Sequence, residues 1–68
     1  MAKFEEGKRV RIFGLAEIPE HLHSKTGKVT TISSKDDNTV YTVRLDFPVL
    51  GKMVLEDLPE EWLEHYMI

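Results

Sequence analysis

No cysteine occurs in this chain, so no disulfide can staple its core, and a reducing compartment is the natural setting. No apolar run approaches the roughly 18–20 residues that a membrane-spanning helix needs. The opening Met1-Ala2-Lys3-Phe4-Glu5-Glu6 has one basic residue and no apolar core segment, unlike a secretory signal. A soluble, cytoplasmic protein with no membrane partner is therefore expected. Catalytic signatures are missing too. Ser24, Ser33 and Ser34 have no glycine-flanked elbow, and Lys25-Thr26-Gly27-Lys28 lacks the earlier glycine of a phosphate-binding loop. There are no internal repeats, linkers or low-complexity segments, and nothing implies a cofactor.

What is present is short and evenly punctuated. Sixty-eight residues make one domain, near the lower limit for folding without a metal or disulfide. Burial against another surface, its own or a partner's, would add to a core this small. Lys8–Phe13 alternates, with Val10 and Ile12 on one face and Lys8, Arg9 and Arg11 on or near the other, which predicts a strand with one wet side. After Gly14, residues 15–24 hold no period, and Pro19 removes a backbone donor. This is a long first loop with a helical turn at Pro19–Leu22, its Leu15, Ile18 and Leu22 folded back over one end. Gly27 stands where that excursion rejoins the sheet, a place that often needs a positive φ.

A second strand is expected over Lys28–Ser33. Strict alternation cannot turn both Val29 and Ile32 inward, so a bulge is expected near Thr30-Thr31. Ser34–Asn38 reads as a polar hairpin turn. Thr39–Asp46 is the clearest strand, with Tyr41, Val43 and Leu45 on one face and Thr42, Arg44 and Asp46 on the other. Phe47–Gly51 reads as an unusually apolar connection and Lys52–Glu56 as a fourth strand. Asp57–Glu60 reads as a turn whose spacing suits a capping box. Residues 61–66 fit a helix with Trp62 and Tyr66 on one face, or a short strand. Because a fifth strand must close against the first, a short 3-10 or helical turn followed by a strand is favoured. The expected core is Val10, Ile12, Val29, Ile32, Tyr41, Val43, Leu45, Val54, Leu55 and Trp62, with Trp62 sealing one end. The fold class is all-β, a five-stranded Src-homology-3-like, partly open barrel.

The order Phe4-x-x-Gly7-x-x-Val10-Arg11-Ile12, Ile18-Pro19, Lys25-Thr26-Gly27-Lys28-Val29, Val40-Tyr41-Thr42-Val43-Arg44-Leu45 and Glu61-Trp62-Leu63-Glu64 resembles the C-terminal barrel domain of the nitrile hydratase β subunit. Barrels of this type, grouped as electron-transport accessory proteins, include the small stromal E subunit of photosystem I and the variable chain of ferredoxin–thioredoxin reductase. The resemblance implies a non-catalytic domain that braces a cofactor-holding partner. The metal-binding cysteine cluster belongs to the other nitrile hydratase subunit, and the β subunit's helical N-terminal part is absent here, so no catalytic residue carries over. The plasmid-encoded dihydrofolate reductase is an enzyme on this fold, with its site on the axis of four barrels; its Val-Gln-Ile-Tyr signature is missing.

Three groups of residues are candidates for function. His21 and His23, with His65 as a third ligand, could hold a metal if the backbone is extended. With no cysteine and no suitably spaced carboxylate, the favoured reading is ordinary loop histidines and no metal. Arg9, Arg11, Lys28 and Arg44, beside Tyr41 or Phe13, could make a basic face for nucleic acid. The same charges serve equally as edge decoration against unwanted pairing. Residues 1–35 carry seven Lys/Arg against four Asp/Glu and residues 36–68 two against eight, a net of −3 that argues against a dedicated nucleic-acid binder. Phe47, Val49, Leu50 and Met53 are either tucked over the barrel mouth or exposed as a patch for another protein or a second copy. The acidic Glu56, Asp57, Glu60, Glu61 and Glu64 would steer a basic partner.

Overall fold

The computed structural model describes residues 2–66. Five antiparallel strands form one sheet: β1 (Arg9–Ile12), β2 (Thr26–Lys35), β3 (Asn38–Val49), β4 (Lys52–Pro59) and β5 (Leu63–His65). Their order is β4-β3-β2-β1-β5. β5 pairs with β1, Ile12 opposite Leu63, as closure requires. The sheet does not close into a full barrel, and β4 and β5 are its two edges. This is the all-β, partly open arrangement expected from the alternation. Two short 3-10 turns, Glu20–Leu22 and Glu60–Trp62, sit in the first loop and before β5. Among the described residues no helix is long and apolar enough to cross a membrane.

Both hairpins turn on two residues of positive φ, the geometry that matches the twist of the flanking strands. Asp36 and Asp37 (φ 50° and 64°) join β2 to β3; Leu50 and Gly51 (φ 50° and 79°) join β3 to β4. The second turn corrects the expected 47–51 connection: Phe47, Pro48 and Val49 belong to β3, with Val49 opposite Lys52. The bulge expected in β2 is present, as a register shift between Val29 and Thr31. A further shift between Tyr41 and Val43 sets Leu55 and Leu58 against those residues, and Asp57 lies there at φ 56°. β4 thus takes in Asp57–Pro59 of the expected turn, and the 3-10 turn that begins at Glu60 is preceded by Pro59 with no side-chain cap, so no capping box forms.

Gly27 earns its place differently from the expectation. Its φ is not positive; instead, a Cβ there would run into the Arg44 carbonyl oxygen and stand 2.8 Å from Val43 Cγ1. It is a close approach of β2 to β3, not a turn, that requires glycine.

The core holds Val10, Ile12, Val29, Tyr41, Val43 and Leu45 as expected. Ile32, Leu55 and Trp62 are only half-buried at its margin, and Val54 is exposed. Ile18 and Leu22 fold over one end while Leu15 stays exposed. The core also takes residues outside the expected set: Phe4, Val40, Leu58 and Leu63. Phe4 lies in the segment before β1, belongs to no strand, and is fully buried. Its ring meets Tyr41 edge-on at 5.3 Å and His65 at 4.7 Å.

A polar knot ties the N-terminal segment to Tyr41 and Glu60. The Tyr41 Oη accepts the N–H groups of Lys3 (2.9 Å) and Phe4 (3.1 Å) and donates to Glu60 Oε2 (2.7 Å), which also accepts the Lys3 N–H (3.0 Å). Donation from Tyr41, then from Lys3, holds the Glu60 carboxyl below its usual range. Burial, with help from the adjacent carboxylate, pushes the Tyr41 phenol up from 10.0 against the two backbone donors. The two signs are opposite. Glu60 contributes stability that is present above its unfolded-state pKa and lost as pH falls through the lower folded one. Tyr41 contributes stability that is present below 10.0 and lost as pH rises through its raised folded value. Tyr41→Phe leaves a buried N–H without its acceptor, for an expected loss of about 1–3 kcal/mol at neutral pH. Urea midpoints measured against pH should show the variant losing the alkaline shoulder and most of the acid one; parallel curves would contradict the knot.

Candidate functional site

The histidines do not assemble. His23 Nε2–H donates to the carbonyls of Leu15 (2.9 Å) and Ile18 (2.8 Å), bracing the first loop from inside. Carbonyls only accept, so that nitrogen carries the proton and is not offered to a metal. His21 is exposed on the 3-10 turn, and His65 packs on Phe4 from β5. Among the described residues no group of three His, Asp or Glu side chains is placed to hold a metal.

The basic residues do share one surface, the outer face of β1, β2 and β3, where Arg9 lies opposite Lys28 and Lys28 opposite Arg44. Two of the four are already engaged. Arg9 pairs with Asp46, whose Oδ2 also accepts the Thr26 hydroxyl at 2.6 Å. The Arg9 guanidinium lies 5.3 Å from the Tyr66 ring centroid. Arg11 grips Glu64 Oε2 through Nε (2.8 Å) and a terminal nitrogen (2.6 Å). Lys28 and Arg44 have no ion pair among the described residues, a like-charged pair side by side. Tyr41, expected beside this face for stacking, is fully buried on the other side of the sheet. Half of the proposed nucleic-acid face is thus spent on pinning β1 to β3 and β5.

The β3–β4 hairpin is different in character. Phe47 is 78% exposed and Leu50 79%, while Val49 and Met53 are half-buried. Val54, on the outer face of β4, is exposed as well. Leu50 holds a left-handed backbone that costs a side-chain-bearing residue about 1–2 kcal/mol and that asparagine or glycine adopts more readily. An apolar side chain in a strained turn, facing water, contributes nothing to its own fold. Behind the tip, β4 hydrogen-bonds only to β3, so one side of its backbone is unpaired within the sheet. Alongside runs a groove of about 820 Å³, lined by Leu22, Trp62 and β4 from Lys52 to Leu58, with the charged Lys52, Glu56 and Asp57 among the apolar side chains. Sequence reading picked out the tip residues but not the groove, whose far wall comes from Leu22 and Trp62 in distant segments. No protein-family model, curated protein or solved structure matches this chain.

Proposed function

We propose that this domain is a protein-interaction module rather than an enzyme, and that it binds through the β3–β4 hairpin. The observation that carries the reading is Leu50: an apolar side chain almost wholly in water at a backbone conformation that disfavours it. Strain kept at an exposed position is accounted for when another surface covers it. Phe47 extends the patch along β3, and the open groove continues it along β4. An accessory role of this kind also agrees with the resemblance to the nitrile hydratase β-subunit barrel.

The test separates binding from folding. Leu50→Asn suits the turn better and is expected to keep or slightly raise the melting temperature, by relief of up to about 1 kcal/mol of strain. Phe47→Ser removes a side chain that supports nothing in the core. Both variants are expected to lose on the order of tenfold in affinity for whatever partner protein the wild type retains. Equal retention by wild type and both variants would overturn the reading.

A further inference from the structure

We infer that β4 pairs with β4 of a second copy of this chain, antiparallel, about a two-fold axis through Val54. The inference rests on the reading of the hairpin as a protein-binding surface and names its occupant. In an antiparallel ladder, opposite residues either both point their N–H and C=O at each other or both point them away. For two identical strands, a two-fold axis must therefore pass through a residue and its own copy, never between neighbours. Lys52–Glu56 is continuous strand on the β4 side, although its pairing with β3 shifts register between Val54 and Lys52, where β3 carries the extra residues 45–48. Before the irregularity at Asp57 the central choices are Met53, Val54 and Leu55.

Charge decides among them. An axis through Met53 sets Lys52 against Val54, and one through Leu55 sets Glu56 against Val54 and Met53 against Asp57. Only the axis through Val54 sets Lys52 against Glu56 of the second copy, twice by symmetry, with the two Val54 side chains between them. Lys52, Val54 and Glu56 share the exposed outer face, and neither Lys52 nor Glu56 has an ion-pair partner among the described residues. On the other face the same register sets Met53 against Leu55 of the second copy. These are half-buried side chains of β4, which lines the groove along its length, so each copy adds apolar contacts beside the other's groove. The segment Lys-Met-Val-Leu-Glu is thus complementary to its own reverse in charge and in apolar character.

Both ends of the pairing are defined. The Leu50-Gly51 turn stops it before Lys52, and Asp57, at positive φ where the β3 register shifts, bends the edge away after Glu56. Such a bulge limits edge pairing to a short, specific length and blocks open-ended assembly.

Light scattering from micromolar to millimolar protein tests the inference. Wild type is expected to approach twice its 7.9 kDa mass. Lys52→Glu and Glu56→Lys each replace two attractive pairs with two repulsive ones, and each is expected to raise the dimer dissociation constant at least about tenfold, less so at high salt. The double variant Lys52→Glu/Glu56→Lys restores complementarity and is expected to dimerise like wild type. A wild type that stays monomeric at every concentration overturns the second copy as occupant, while the Leu50→Asn retention test still judges the wider reading. A dimer indifferent to both single swaps overturns the β4 register.

Discussion

Phe4→Ala is expected to leave this domain largely unfolded at room temperature or a little above. Phe4 is fully buried although it lies in no strand, and its ring fills the space between Tyr41 and His65. Truncating a buried phenylalanine costs about 3–5 kcal/mol. A chain of this length commands only about 3–10 kcal/mol in total, by the usual stability per residue. The loss is compounded because the Phe4 backbone N–H is held on the Tyr41 hydroxyl, so a loosened segment also frees the polar knot at Glu60. At about 4–8 °C per kcal/mol, the melting temperature should fall by roughly 15–30 °C. Phe4→Leu, keeping most of the volume, should lose only about 1 kcal/mol. Circular dichroism melts of the two variants check this. A Phe4→Ala protein melting within a few degrees of wild type would mean that the N-terminal segment is not part of the core.

Gly27→Ala is expected to be nearly as damaging, although it adds a single methyl group. Replacing glycine usually stabilises slightly, by about 0.4–1 kcal/mol, through a less disordered unfolded chain. Here the new Cβ meets backbone, the Arg44 carbonyl, and cannot be accommodated by a side-chain rotation. β2 must move away from β3 at the point where Gly27 faces Leu45, at the end of the β2–β3 ladder where β2 also pairs with β1 through Val10. A net loss of about 3 kcal/mol is expected. Gly14→Ala is the control: its Cβ would lie 3.6 Å from the His23 ring in ordinary contact, and its cost should be small. Equal melting temperatures for the two alanine variants would contradict the close approach.

These two positions also mark what the sequence could and could not convey. The strands with one wet face were legible, because alternation records which side each residue takes. Even the β2 bulge followed from Val29 and Ile32 needing the same side. Phe4 was not legible as core: it is a lone aromatic in a polar segment, with no period to assign it a face. Gly27 was legible as special but for the wrong reason, since a close contact with a strand eighteen positions on leaves the same mark as a turn. The apolar run Phe47–Leu50 with its proline resembled a loop, whereas the structure carries β3 through it to a two-residue turn. The candidate site shows the same division. Phe47 and Leu50 stood out by composition, but that Arg9 and Arg11 are occupied depends on Asp46 and Glu64, 37 and 53 positions away. The self-complementarity of Lys52–Glu56 is written in the sequence and acquires meaning only once β4 is known to be an edge.

An equimolar mixture of Lys52→Glu and Glu56→Lys proteins tests the central claim most directly. Neither variant should pair well with itself, whereas across the mixed pair both contacts join a glutamate to a lysine. The mixture is therefore expected to reach the dimer mass at concentrations where each variant alone remains near 7.9 kDa. A mixture whose mass is the average of its two components at every concentration would contradict antiparallel β4 pairing about Val54.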